Sequence, residues 1–144
     1  MRQRPEPDNV SVANGVWGED VATEFLRRGG YMIVDRNTRP LERDSRLEID
    51  IVAYDSRLDT MVFVEVKQHA TLSPYQRRTR SVNRRKMDNL RRVCNAWRRV
   101  NKWRGAFRFD VIEIYGIPEG GRPVIDHIPN VELFARPERF VKWN

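Results

Sequence analysis

Two strand-like runs separated by a short polar loop constrain this chain more than any other feature. Residues 47–54 (LEIDIVAY) and 61–67 (MVFVEVK) are rich in β-branched and aromatic residues, and only six residues lie between them. A connection of this length favours an antiparallel hairpin. If the hairpin closes symmetrically, opposed residues have numbers that sum to 115, so Tyr54 faces Met61.

This register places four charged side chains on one face of the hairpin. Asp50 opposes Glu65, and Glu48 opposes Lys67. Two carboxylates whose Cβ atoms lie about 5 Å apart repel each other, so one is protonated or a cation lies between them. Because side chains alternate along a strand, the intervening apolar residues are expected on the other face, in the core. These are Ile49, Ile51, Val62, Val64 and Val66.

The remaining segments predict an α/β fold with the element order αβββαβ. A helix over 15–28 ends at two glycines, and its apolar stripe has Glu19 at its margin, where a carboxylate can reach over a sheet. We expect a mixed sheet flanked by helices. The other predicted elements are strands at 31–37, 107–115 and 124–128 and a long helix at 82–102.

Length and composition limit the organisation of the chain. Its 144 residues predict one domain at 14–128, with a polar flexible tail at 1–13 and an extension at 129–144. One cysteine, Cys94, cannot form an internal disulfide, which fits a reducing compartment.

No apolar run approaches the roughly 18 residues of a membrane span, and the N-terminus lacks the apolar stretch of a signal peptide. We expect a cytoplasmic protein without membrane contact, and apolar residues in 131–143 favour a homodimer.

Positive charge is concentrated in one segment. Residues 77–104 contain twelve Lys or Arg and one acid, a local net charge of +11, so the remainder of this +7 chain carries −4. A basic element beside a mildly acidic remainder is typical of a surface that binds nucleic acid. A solvated helix face has the same composition, so both interpretations stay open.

The acidic residues of the hairpin also allow two interpretations. Asp50 and Glu65, with Glu19 as a further ligand, offer the oxygen atoms that Mg²⁺ or Mn²⁺ prefers, and Lys67 lies one strand step away to orient a water. Alternatively, Glu48 and Lys67 form an exposed cross-strand ion pair of little energetic value. The like-charged pair of Asp50 and Glu65 is harder to explain in that second way.

Six short motifs resemble those of the PD-(D/E)XK nuclease superfamily, whose core has the order αβββαβ, and more narrowly the small YraN-like bacterial proteins. They occur in order through residues 15–128, and together they form a specific signal. The motifs are Gly15-x-x-Gly18-Glu19-x-x-Ala22, Arg36-Asn37, Glu48-Ile49-Asp50, Phe63-Val64-Glu65-Val66-Lys67, Val82-x-x-x-Lys86 and Arg108-Phe109-Asp110-Val111.

The resemblance implies roles for individual residues. Asp50 and Glu65 would be metal ligands that also take part in catalysis, Lys67 the catalytic lysine and Glu19 an accessory metal-binding acid. Glu48 lies beside them as an accessory residue. The residues expected to contact nucleic acid are Lys86, Arg84, Arg85, Arg91, Arg92 and His69.

Two positions depart from the pattern of the family. Leu47 stands where a glycine usually precedes the Glu-Ile-Asp run, and His69 stands where an arginine usually follows the lysine. The resemblance implies a Mg²⁺- or Mn²⁺-dependent phosphodiesterase acting on DNA, including branched or single-stranded intermediates of repair or recombination. The two departures keep a second hypothesis open, a non-catalytic nucleic-acid-binding or assembly module. RNA also stays an alternative substrate, because no element that reads a 2′-hydroxyl can be identified.

Overall fold

A five-stranded mixed sheet forms the centre of the molecule. The computed structural model describes residues 7–44, 46–71 and 84–133. Neighbouring strands follow chain order, β1-β2-β3-β4-β5; β3 and β4 are parallel and the other pairs are antiparallel. This is the α/β architecture that the element order predicted, and it is consistent with a restriction-endonuclease-like core. The elements are α1 (Pro7–Arg28), β1 (Met32–Thr38), β2 (Ile49–Asp55), β3 (Thr60–His69), α2 (Arg84–Val100), β4 (Ala106–Tyr115) and β5 (Val124–Ile128).

Both faces of the sheet carry a buried apolar cluster. On the α1 face, Leu26 packs with residues such as Ile51 and Val64. On the α2 face, Trp97 stacks edge to face on Phe63 with ring centroids 5.5 Å apart. The α2 connection joins the two parallel strands, as a crossover must. Each helix therefore covers an apolar cluster on one face of the sheet.

The predicted hairpin register is confirmed for residues 51–55 of β2 and 60–64 of β3. Tyr54 pairs with Met61 and Ile51 pairs with Val64, as the sum of 115 requires. The burial predicted for Ile49 is confirmed, but its predicted face is wrong: Ile49 belongs to the α2-side cluster, whereas Ile51 belongs to the α1-side cluster. Residues 49 and 51 would share a face in a regular strand, so the strand geometry changes at Asp50.

The helices differ from their predicted limits at their ends. The first helix begins at Pro7, eight residues before the predicted start at Gly15, so residues 7–13 of the predicted tail are helical. Proline suits the first helical position because its φ is already helical and its missing N–H is not needed there. Residues 1–6, 72–83 and 134–144, which include most of the segment expected to pair two chains, lie outside the described residues. The limits of the domain and its extensions stay a prediction. Neither described helix has the length and apolar character needed to cross a bilayer.

A buried ionic network lies under the C-terminal end of α1. Asp110 is fully buried, and its carboxylate accepts hydrogen bonds from Arg108 Nε (3.0 Å) and from the backbone N–H of Asn130 (2.9 Å). His127 Nε2 lies 2.8 Å from the same carboxylate. Burial alone would raise the pKa of Asp110, but these bonds together lower it. The Arg-Phe-Asp motif thus joins β4 to β5 and the following loop.

Candidate active site

The hairpin opens at Asp50, and this opening creates the site. The paired residues of β2 and β3 end at Ile51 and Val64. One residue further, Asp50 Oδ2 accepts a hydrogen bond of 2.8 Å from the backbone N–H of Val66. A side-chain oxygen thus takes a partner that a backbone carbonyl would take in a regular ladder. The carboxylate is held by β3 and directed into the gap between the strands.

Helix α1 brings a second carboxylate to this gap. A Cβ added to Gly18 would lie 3.1 Å from Cβ of Gln68, which is tighter than an ordinary contact. Glycine therefore allows the helix to approach β3 closely, and the next residue, Glu19, reaches the open end of the hairpin. Only 17% of the Glu19 side chain is exposed, and Arg36 Nη2 lies 3.9 Å from it.

Three carboxylates converge at this point. One oxygen each from Glu19, Glu48 and Asp50 lies within 4.8 Å of the others. Three acids this close can hold a metal ion, as the sequence predicted for this region. Glu48, predicted only as an accessory residue, supplies the third oxygen of this group. Its carboxylate also accepts hydrogen bonds from the exposed Arg39, at 3.0 and 3.1 Å.

The electrostatics of Asp50 differ from those of its neighbours. Burial raises the pKa of Asp50 to about 7; the Val66 N–H opposes this rise, and Glu19, Glu65 and Glu48 add to it. Burial also raises the pKa of Glu19, although a hydrogen bond from Asn37 works in the opposite direction. Within the described part of the chain, Asp50 has no cationic partner. A bound cation would supply the missing counter-charge.

Glu65, the fourth predicted acid, lies on the α2 side of the gap. Lys86 Nζ lies 2.9 Å from its carboxylate, and 16% of the Glu65 side chain is exposed. Glu65 adds to the negative potential at Asp50 but is not one of the three grouped acids. Its role as a ligand stays a prediction. Lys86 is likewise an ion-pair partner here, and its predicted contact with a phosphate stays untested.

Lys67 and His69 continue along the same face of β3. Lys67 follows Val66, which holds Asp50, and it forms no ion pair with a described residue. His69 stacks on Tyr115 with ring centroids 4.9 Å apart, and its Nε2 lies 3.7 Å from Oε1 of Glu113. The histidine therefore packs against β4.

Glu113 is the residue that sequence reasoning missed. It pairs in register with Lys67 across the parallel strands, and it is 3% exposed. Tyr115 donates a hydrogen bond of 3.1 Å to its carboxylate. The available signal was a second acid, after Asp110, in the largely apolar run 107–115. This buried acid extends the polar surface beyond the hairpin.

The predicted nucleic-acid contacts of α2 separate into two groups. Arg85 and Arg92 are exposed on the outer face of the helix. Arg91 instead pairs with Asp88 and donates to the backbone carbonyl of Leu133, so it fixes the chain after β5. Arg84 begins the helix, and its side chain lies outside the described part.

A small cavity adjoins the acids. It has a volume of about 30 Å³ and is lined by residues that include Glu48, Asp50 and Glu65. Since about 10–15 Å³ suffices for one water, the cavity fits a water or a single ion but no substrate. A phosphate group would therefore contact the acids from outside, at the open end of the hairpin.

Sequence comparison groups the chain with bacterial proteins. A model of the uncharacterised protein family UPF0102 matches residues 18–114. A UPF0102 protein of Trichlorobacter lovleyi is 38% identical, covering 82% of this chain and 88% of the relative. UPF0102 proteins of Corynebacterium efficiens (38%; 85% and 93% covered) and Streptomyces griseus (34%; 85% and 98% covered) are similarly close. The chain therefore belongs to the UPF0102 family, the YraN-like family that its motifs indicated.

Proposed function

We propose that this member of the UPF0102 family is a divalent-metal-dependent phosphodiesterase that cuts DNA. The observation that carries the proposal is the convergence of Glu19, Glu48 and Asp50 at the open end of the hairpin. Of the three, Asp50 has no cationic partner among the described residues, and a buried carboxylate without one is costly to keep ionised. Carboxylates grouped in this way can hold a divalent cation, and many metal sites built from them act on phosphate esters.

The donor atoms fit a hard cation. All three grouped ligands are carboxylates, and neither a histidine nor a cysteine belongs to the group. Oxygen ligands suit Mg²⁺ or Mn²⁺, whereas zinc sites use nitrogen and sulfur as well. When bound, such an ion would neutralise the acids and stabilise the charge that develops on a phosphoryl oxygen. The ion would be held by Glu19, Glu48 and Asp50. Glu65 is a fourth acid, which interacts electrostatically with Asp50.

The protein groups around the acids supply positioning. Asp50 is oriented by the backbone N–H of Val66, so its carboxylate keeps one direction without the help of a ligand. Lys67, the next residue, carries a positive charge that no described acid neutralises. Its ammonium can donate hydrogen bonds to a phosphoryl oxygen and to the attacking water. This assigns to Lys67 the catalytic role that the resemblance implied.

DNA is the substrate that we infer, including branched or single-stranded intermediates. The basic α2 helix lies beside the acids, and Lys86 already contacts Glu65 from its first turn. A phosphate backbone lying along this helix would be attracted to its arginines while one phosphate reached the acids. A homodimer, in which two such sites would act on two strands, stays a prediction.

The direct test is a cleavage assay. Labelled single-stranded, duplex and four-way-junction DNA would be incubated with the full chain and Mg²⁺ or Mn²⁺. Asp50→Ala and Lys67→Ala should each abolish cutting, and Asp50→Ala should also abolish Mn²⁺ binding, whereas Lys67→Ala should retain it. Glu119→Ala is the matched control, because Glu119 is exposed in the turn between β4 and β5. Cutting that persists in both site variants would refute the proposal.

A non-catalytic nucleic-acid-binding module is the alternative. One observation favours it: Glu48 and Glu65 are already paired with Arg39 and Lys86, so part of the negative charge is neutralised without an ion. Mn²⁺ titration distinguishes the two functions, since a cluster balanced by its own cations should not bind the ion. DNA binding without metal binding or cutting would establish the module, and RNA would be the next substrate to assay.

A further inference from the structure

We propose a second nucleic-acid contact, a basic cleft at the C-terminal end of α2 that binds the phosphodiester backbone away from the acids. The C-terminal basic cleft has a volume of about 580 Å³ and is lined by Asn95, Arg98, Arg99, Lys102, Trp103 and Arg104. All of these residues lie in the basic segment 77–104, but none is among the individual contacts named from the sequence. Its assignment to nucleic acid, rather than to another polyanion, rests on the proposed function.

Positive charge in this cleft exceeds any structural need for it. Arg99, Lys102 and Arg104 are exposed, and none of them forms an ion pair with a residue that the structure describes. Cations at a helix C-terminus do stabilise the helix, but the dipole there amounts to only about half a negative charge. Among the described residues that line the cleft there are four cations and no carboxylate, which gives a positive local potential that attracts polyanions.

The cleft is held in shape by packing and hydrogen bonds. The guanidinium of Arg98 lies 3.6 Å from the centre of the Phe107 ring and donates to Asn95 Oδ1 at 3.2 Å. The indole of Trp103 donates to the carbonyl of Ala106 at 3.0 Å, which fixes a flat apolar wall. A site that is ordered before binding loses less entropy when its ligand arrives.

Lys102 occupies an uncommon backbone conformation at the mouth of the cleft. Its φ of 54° places it in the left-handed region, where helices usually end in glycine. The backbone N–H groups of Lys102 and Trp103 donate hydrogen bonds to the backbone carbonyls of Arg99 and Arg98, respectively. These bonds terminate the helix. A lysine at this position contributes a charge to the cleft where a glycine would be easier to accommodate.

The spacing of the outer arginines favours a regular polyanion. Arg85, Arg92 and Arg99 are exposed and repeat every seven residues, which is about 10.5 Å along a helix. Three phosphate steps on one strand of a duplex rise by about the same distance along the duplex axis, at about 3.4 Å per step. From Lys86, which contacts Glu65, to Arg99 the helix advances about 20 Å, or about six base pairs.

The test measures duplex DNA binding by the full chain in EDTA, so that cutting does not contribute. Fluorescence anisotropy over a salt series would compare wild type with Arg99→Gln/Arg104→Gln. Arg27→Gln/Arg122→Gln is the matched control, because it removes two exposed arginines elsewhere. The cleft variant should reduce the salt slope of log K by about 1.8, two contacts at about 0.9 each. Its affinity at 0.1 M salt should fall at least tenfold, while the control stays near wild type.

Three outcomes would overturn the proposal. They are an equal loss in both double variants, an unchanged affinity in the cleft variant, and an equal loss when polyglutamate replaces DNA. The last result would identify a general polyanion site. Circular dichroism spectra that match wild type would show that each variant is folded. If the cleft variant loses DNA binding although the wild type never cuts DNA, this inference stands and the proposed nuclease activity fails. If the wild type cuts DNA and the cleft variant binds DNA as tightly as wild type, the proposed nuclease activity stands and this inference fails.

Discussion

Replacing Asp50 with asparagine measures how much the negative charge of Asp50 lowers the free energy of unfolding. Asparagine keeps an oxygen that can accept the Val66 N–H but carries no charge. The pKa of Asp50 is about 7 against an ordinary value of 3.8, so the folded chain binds this proton more tightly than the unfolded chain. The free energy of unfolding should therefore decrease as pH rises from about 4 to about 7. At 1.36 kcal/mol per unit, the loss is about 4 kcal/mol.

Urea denaturation in EDTA, followed by tryptophan fluorescence, measures this effect. Near pH 4, wild type and Asp50→Asn should unfold with similar free energies, since the carboxyl group is protonated in the folded chain. At pH 8 the variant should be more stable by about 4 kcal/mol. Added Mg²⁺ should then stabilise wild type at pH 8 and leave the variant unchanged. Glu119→Gln, an exposed acid, is the control for removing one negative charge.

If the free energy of unfolding depends on pH in the same way for wild type and Asp50→Asn, this reasoning is refuted. That result would mean that Asp50 ionises at an ordinary pH and that the gap in the hairpin is well solvated. A variant less stable than wild type at pH 8 would mean that the carboxylate already has a counter-charge. In either case the site would not need a cation, and the strongest support for the metal proposal would be lost.

Two further predictions concern buried groups. Asp110→Ala leaves Arg108 and His127 without their carboxylate, so it should reduce the free energy of unfolding by about 3 kcal/mol or more at pH 7. Because the pKa of Asp110 is lowered, its stabilisation should be complete above pH 4 and decline as pH falls below it; thermal melts that show no such decline would contradict this. Burial raises the pKa of Cys94 to about 12, so native protein at pH 8 should resist alkylation and react only in urea. Rapid labelling without urea would show that the α2-side core opens.

Local patterns in the sequence predicted the elements, their order and the hairpin register from Ile51 to Val64. These depend on local physics: β-branched runs, a six-residue connection and the alternation of side chains along a strand. The glycines at 29 and 30 likewise end α1 as expected, with φ of 90° at Gly30. The start of α1 was predicted wrongly because the residues after Pro7 have no strong helix propensity. No helix-breaking residue separates them from the rest of the helix.

Packing between distant elements determines which acids lie close together, and local patterns do not predict it. A symmetric hairpin pairs Asp50 with Glu65, but the strands separate there, and Asp50 bonds to the backbone of Val66 instead. Glu19 joins because Gly18 lets α1 approach β3, while Lys86 holds Glu65 on the other side. These contacts link residues far apart in the chain, and a few ångströms of strand or helix displacement decides them. A periodic pattern specifies the face of a side chain, but packing between elements sets the distance between two carboxylates.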